Sequence, residues 1–252
     1  MPNLDIHQFI AGQDNYCVLM HDPETGATAS IDACDAALIA RELAAKGWTL
    51  THILVTHHHG DHIVGIPDLK RASGCTVIGP AAESHKIPGL DRTVREGDTV
   101  AMGRHTFHVI ETPGHTLGHI AYHEPRAGLA FVGDTLFTMG CGRVIEGDYP
   151  MMWASLSKLA GLPLETMIYS GHNYTAANAR FALTVEPGNA ELQSRARAAA
   201  NGNAQVPSRL SDELATNPFL RADNATIRHA LGLEGVPAWK VFGEVRERKN
   251  KG

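Results

Sequence analysis

The sequence predicts an α/β domain followed by a small all-α domain. Three observations carry that expectation. Over the first two-thirds of the chain, short apolar runs alternate with helix-patterned stretches. From Tyr174 onward Ala, Leu, Arg and Glu take over, with Pro, Asn or Gly between the pieces. Several His and Asp residues directly follow the apolar runs of the first part. The boundary is expected near residue 173, giving domains 1–173 and 174–252. A chain of 252 residues can bury a full core without covalent staples.

The elements follow in order. Residues 16–21 and 27–32 read as strands, separated by the turn sequence Asp22-Pro23-Glu24-Thr25-Gly26. Asp35 is placed to cap a helix that runs to Lys46 and stops at Gly47. Residues 52–56 form a short buried strand, and further strands are expected at 76–78, 106–112, 120–123, 128–132 and 167–169. The helical part divides into 174–185, 189–200, 207–216, 224–232 and 238–249.

Composition narrows the function. Hydrophobic residues make 43% and charged residues 19% of the chain, the balance of an ordinary folded domain. A net charge of −5 offers no basic field to nucleic acid or to an anionic membrane. No apolar run is long enough to span a bilayer, and no charged leader precedes an apolar core, so a cytoplasmic chain is expected. No apolar stripe stands out, and the expected state is a monomer. Cys17, Cys34, Cys75 and Cys141 are scattered and are expected to be free thiols. Histidine is the unusual count, at 15, and histidine is both the commonest metal ligand and an acid–base group near neutral pH.

The segment Thr56-His57-His58-His59-Gly60-Asp61-His62 concentrates that chemistry. In extended backbone alternate side chains share a face, so His57 and His59 point the same way and His58 points away. A turn at Gly60 then redirects Asp61 and His62. His115, Asp134 and His172 are three further candidates, each just after an expected strand and each preceded by a glycine that permits a tight turn. Imidazole nitrogens and carboxylate oxygens suit zinc, iron or manganese. A carboxylate can bridge two cations, and a close metal pair activates a water between them.

His57-x-His59-x-Asp61-His62 followed in order by His115, Asp134 and His172 resembles the signature of the metallo-β-lactamase superfamily. The resemblance implies an αββα sandwich with two divalent metal ions at one edge, zinc first, with iron or manganese as alternatives. It assigns His57, His59 and His115 to the first metal, Asp61, His62 and His172 to the second, and Asp134 to a bridge between them. Asp61 and Asp134 are then the catalytic carboxylates, with Asp61 beside the attacking water.

Other segments narrow the resemblance to the glyoxalase II, or hydroxyacylglutathione hydrolase, family. They are Asp14-Asn15-Tyr16, Gly133-Asp134-Thr135-Leu136-Phe137, Gly140-Cys141-Gly142-Arg143 and Gly171-His172-x-Tyr174-Thr175. Val185-Glu186-Pro187-Gly188-Asn189 and Asn217-Pro218-Phe219-Leu220-Arg221 extend the likeness into the helical part. The resemblance implies hydrolysis of S-D-lactoylglutathione to D-lactate and glutathione, the second step of methylglyoxal detoxification. It implies glutathione contacts from Arg143, Tyr174, Arg246 and Lys249, in keeping with the affinity of basic side chains for carboxylates. Two positions depart from the family pattern. Ile145 stands where some members carry an aromatic residue and cannot donate a side-chain hydrogen bond, and Asn250 stands where an acidic residue usually follows the Lys. The alternative reading is a mono-iron glutathione persulfide dioxygenase, which resembles the chain through the early His motif and Gly140-Cys141-Gly142-Arg143.

Overall fold

Apolar residues at strand spacing build the first half of the protein, and the computed structural model describes residues 3–202 and 206–251. Residues 1, 2 and 252, at the ends of the two expected domains, and residues 203–205 lie outside that description. The chain divides by packing into two units, Met1–Glu111 with Thr116–Gly133 and Thr112–His115 with Asp134–Gly252.

In the first unit β1 (Asp5–Ala11), β2 (Asn15–His21) and β3 (Thr28–Ile31) run antiparallel. Helix α1 (Ala36–Lys46) then returns the chain to β4 (His52–Leu54), which lies parallel to β3. Asp35 caps α1 by accepting from the Leu38 N–H at 2.9 Å, as its position before the apolar run predicts. The short helix α2 (Gly60–Ile63) and helix α3 (Ile66–Ser73) lead to β5 (Thr76–Pro80). A 3₁₀ turn over Ala81–Lys86 leads on to β6 (Arg92–Val94), and β4, β5 and β6 are parallel. Ile39 and Leu43 of α1 and Ile66 and Leu69 of α3 bury their side chains with Leu19, Ile53, Val55 and Val77 of this sheet. Full burial of each such side chain is worth about 1.5–3 kcal/mol.

A second, antiparallel sheet in the same unit orders β7 (Thr99–Met102), β8 (His105–Glu111), β9 (Ile120–Glu124) and β10 (Leu129–Gly133). Strand β8 alternates buried and exposed residues at its start, the pattern of a sheet with one face on a core. The Tyr122 hydroxyl donates to the Val55 carbonyl at 2.9 Å, joining β9 to the backbone that follows β4. The Ile120 N–H donates to the Thr56 carbonyl at 2.9 Å. These bonds pin the residues just before His57 to the opposing sheet.

The expectation of four free thiols is corrected at one pair. Cys17 on β2 and Cys34 just beyond β3 form a disulfide with their Cα atoms 6.7 Å apart. Antiparallel pairing of β2 with β3 returns the chain so that residues 17 apart meet. Sequence spacing alone gave no hint of that pairing. Cys75 and Cys141 are buried free thiols.

The second unit opens with a hairpin of β11 (Leu136–Phe137) and β12 (Gly140–Cys141). Helix α4 (Tyr149–Ala160) follows, capped by Asp148, and then β13 (Met167–Ser170), which pairs with β14 (Ser208–Arg209). The helices are α5 (Thr175–Val185), α6 (Ala190–Ala200), α7 (Leu210–Thr216), α8 (Ala225–Leu231) and α9 (Ala238–Lys251). All five expected helices of this part are present, with ends shifted by at most three residues. Helices α2, α3 and α4 and the strands β1, β6, β7, β11, β12 and β14 were not anticipated. Ala179, Ala182 and Leu192 close around Met139 in the hairpin turn, and Phe242 packs at 6.1 Å from Tyr149, Trp153 and Phe219. A buried polar knot joins these parts. The Asn217 side-chain amide donates to the Phe137 and Gly140 carbonyls at 3.1 and 2.9 Å, and the Met139 N–H donates to the Glu213 carboxylate at 2.8 Å.

Candidate metal centre

The first unit brings four predicted ligands together around a residue that sequence reasoning missed. Asp32 follows β3 with a left-handed backbone, φ 55°, a region that Asp and Asn tolerate better than other side chains. Its carboxylate accepts from the Thr56 N–H at 2.7 Å, the Thr56 hydroxyl at 2.8 Å and His62 Nδ1 at 2.7 Å. A carboxylate only accepts, so Nδ1 of His62 carries the proton and Nε2 presents a lone pair. That nitrogen lies 3.7 Å from Asp61 Oδ2. The Asn15 side-chain amide donates to the Asp61 carbonyl and to the same Oδ2, each at 3.2 Å. The signal for Asp32 in the sequence is an acid directly after a buried strand, the same placement that identified Asp134.

The Thr56 hydroxyl donates to Asp32 and therefore accepts from His57 Nδ1 at 3.0 Å. Nε2 of His57 is thereby turned to within 3.2 Å of His59 Nδ1. Two imidazole nitrogens that close share either a proton or a cation, and the paired lone pairs fit a divalent metal. His58 turns elsewhere: its Nδ1 is 3.0 Å and its N–H donates at 2.8 Å to Glu83 Oε2. The other Glu83 oxygen accepts from the Gly118 N–H at 2.8 Å, so one buried carboxylate anchors two loops. His119 stacks on His57 with centroids 4.8 Å apart, and Gly133 makes room for it, since a Cβ there would stand 2.7 Å from His119 Nε2.

The second unit brings the remaining three predicted ligands together. His115 donates from Nδ1 to the Arg143 carbonyl at 2.8 Å, which leaves Nε2 facing Asp134 Oδ2 at 3.4 Å. His172 Nε2 lies 3.3 Å from the same oxygen. A carboxylate oxygen between two imidazole nitrogens is a nitrogen and oxygen donor set suited to divalent first-row metals. Gly142 lets the chain pass close to this group, because a Cβ there would fall 1.8 Å from the Asp134 carbonyl oxygen. Behind His172 the Tyr174 ring stacks at 5.0 Å and 5°, and Phe137 meets both rings edge-on.

The four residues expected at glutathione occupy different settings. Arg143 and Tyr174 are exposed. Arg246 is 3% exposed, and its guanidinium donates to the Cys141 carbonyl and to Asn250, each at 3.0 Å, while lying 5.1 Å over Phe219. The Lys249 amine is 5.2 Å above the Phe181 ring. Burial, with Arg246 and Arg180 nearby, pushes the Lys249 amine down to about 8. Burial likewise pushes the Cys141 thiol up to about 11. Ile145, at 57% exposure, presents an apolar side chain to solvent.

Known proteins resemble both parts of the chain. Residues 24–172 match the metallo-beta-lactamase superfamily and residues 173–252 match the hydroxyacylglutathione hydrolase C-terminus. The hydroxyacylglutathione hydrolase of Rhodopseudomonas palustris strain BisB18 is 52% identical over 251 residues, 98% of either chain. That of Brucella anthropi is 51% identical over 253 residues, covering 99% of this chain and 97% of its own. That of Methylococcus capsulatus is 48% identical over 98% of both. Among solved structures, the B3 metallo-beta-lactamase BLEG-1 superposes with a TM-score of 0.69 at 22% identity, covering 86% of this chain and 99% of its own, and shares the fold. ETHE1 from Myxococcus xanthus gives a TM-score of 0.63 at 27% identity over 91% of this chain and all of its own.

Proposed function

The chain belongs to the metallo-beta-lactamase superfamily and, within it, to the hydroxyacylglutathione hydrolases, and from that membership we propose that it converts S-D-lactoylglutathione to D-lactate and glutathione. It is a metal-dependent hydrolase with the αββα sandwich fold and a helical C-terminal part. The observation that carries the substrate is 51% identity to the Brucella anthropi enzyme over 99% of this chain, helical part included. The match of residues 173–252 to the hydroxyacylglutathione hydrolase C-terminus favours hydrolysis over the persulfide dioxygenase alternative.

We propose two divalent ions, zinc first, held by His57, His59 and His115 and by Asp61, His62 and His172, with Asp134 shared. When bound, they supply Lewis acidity and a lowered water pKa. Within this proposal the protein's own groups fix geometry. Thr56 and Asp32 hold His57 and His62 in the tautomers that offer Nε2. Asn15 holds the Asp61 carboxylate, which orients the attacking water. No general acid is needed at sulfur, since a thiol leaves far more readily than an amine. Arg143, Tyr174, Arg246 and Lys249 are the residues we propose to hold the glutathione. The ligand-bearing residues 1–173 serve as the catalytic domain and 174–252 as the substrate-binding domain. No described helix is long and apolar enough to cross a membrane, in keeping with the proposed cytoplasmic monomer.

The test follows loss of thioester ultraviolet absorbance from S-D-lactoylglutathione, with protein reloaded with zinc or iron. Chelator-sensitive hydrolysis is expected, and His59→Ala abolishes turnover and lowers metal content. Fully loaded protein that leaves the thioester intact but takes up oxygen with glutathione persulfide would replace this reading with the dioxygenase.

A further inference from the structure

The Cys17–Cys34 disulfide joins two segments that each carry a residue holding a candidate ligand. Cys17 lies two residues past Asn15, whose amide holds the Asp61 carboxylate. Cys34 lies two residues past Asp32, which accepts from Thr56 and His62. Asp32 has a positive φ of 55°, which a residue with a side chain keeps only where its surroundings enforce it. The next residue, Ala33, donates its N–H to the His62 carbonyl at 2.7 Å and accepts from the Gly65 N–H at 2.8 Å. A cross-link at Cys34 therefore limits how far this run can move from β2. The two sulfurs differ in access, since Cys17 is fully buried and Cys34 only in part. We propose that this pair is a thiol–disulfide exchange site for glutathione, the thiol that the proposed hydrolysis releases, and that its reduction loosens the hold of Asp32 on Thr56 and His62. The inference goes beyond the hydrolase reading and takes from it only the identity of the thiol.

The chemistry balances within the glutathione couple. A glutathione thiolate attacks the accessible Cys34 sulfur, and the Cys17 sulfur leaves with the electron pair and takes a proton. A second glutathione thiolate attacks the glutathione sulfur of the mixed disulfide and releases Cys34 as a thiolate. One protein disulfide and two glutathiones become two protein thiols and one glutathione disulfide. The reverse sequence, driven by glutathione disulfide, restores the bond. In the cytoplasm proposed above, protein cysteines are mostly kept reduced, and a disulfide that forms there is characteristically transient or redox-sensing. Cys75 and Cys141 are free buried thiols and stay constant through the exchange.

The experiment equilibrates the full-length protein, without denaturant, in buffers of graded glutathione to glutathione disulfide ratio. Acid then stops exchange, and alkylation in denaturant followed by mass spectrometry counts the thiols. Cys17 and Cys34 are expected to become alkylated together as glutathione dominates, and Cys17→Ser is expected to capture glutathione on Cys34. In the reduced protein, peptides containing Thr56 and Ala33 lose hydrogen-exchange protection about tenfold, while peptides of α5 and α6 keep theirs. Zinc affinity, by chelator competition, falls about tenfold on reduction. The double variant Cys17→Ser/Cys34→Ser behaves as the reduced protein in every buffer. A bond that survives excess glutathione, or that opens with no change at Thr56 and Ala33, overturns the proposal. So does protection lost evenly along the chain, the mark of a bond that only stabilises the fold. None of these readouts needs thioester turnover, so loss of hydrolysis alone would strike the hydrolase reading and leave the exchange site standing.

Discussion

At the scale of single residues, the site depends on who holds each imidazole. Asp32 accepts three hydrogen bonds, two from Thr56 and one from His62, and so orients His62 directly and His57 through Thr56, both candidate ligands. Asp32→Ala removes both oxygens that accept these three bonds and places a Cβ-bearing, non-polar residue at φ 55°. Zinc affinity should fall about 10- to 100-fold, measured by competition with a chromogenic chelator. Asp32→Asn keeps the backbone preference and one acceptor and should fall between the variant and wild type. Wild-type zinc affinity in Asp32→Ala would show that the tautomers are set elsewhere. As candidates, His57, His59, Asp61 and His62 stood out in the sequence because one short segment displays them. Asp32 was not, since its partners lie 24 and 30 residues away and a one-letter code carries no dihedral angle. Arg246 shows the same limit: its place in a charged C-terminal segment gave no sign that its guanidinium is buried against the Cys141 carbonyl.

At the scale of elements, the β11–β12 hairpin is held by side chains rather than by its own length. Two residues per strand give little ladder, and Asn217 at the end of α7 satisfies the Phe137 and Gly140 carbonyls. Asn217→Leu keeps similar volume but leaves these carbonyls and the Glu213 carboxylate with a lost donor. The cost should be about 3 kcal/mol, read from the urea midpoint of the metal-loaded protein, because each buried group stripped of its partner costs roughly 1–3 kcal/mol. A shift below about 1 kcal/mol would mean that water replaces the amide. Helices α1 and α5 to α9 were readable from caps, periodicity and punctuation. Strand β14 was not, since two residues cannot display a period of two. The Cys17–Cys34 bond was hidden for a related reason: it depends on which strands pair, and pairing is a property of the sheet.

At the scale of the whole molecule, candidate metal ligands occur in both units, and a metal held only by the native state would add to its stability. Metal at about 100 times its dissociation constant stabilises the native state by about 2.7 kcal/mol if the unfolded chain does not bind it. For a chain of this size that corresponds to roughly 5–10 °C in Tm. Chelation should lower Tm by that amount and zinc should restore it, and a Tm indifferent to both would argue against a bound metal. The α/β and helical parts were legible from composition, and the two family matches meet between residues 172 and 173. The packing units instead exchange chain after residues 111, 115 and 133. His115 ends the first short segment of the second unit and Asp134 begins its long one. Neither unit is therefore a contiguous stretch of gene. A single recombination joint cannot transplant one of them whole, and a joint anywhere between codons 115 and 134 would draw His115 and Asp134 from different parents. Lineages carrying such a chimera would inherit the two candidate ligands from backgrounds never selected together.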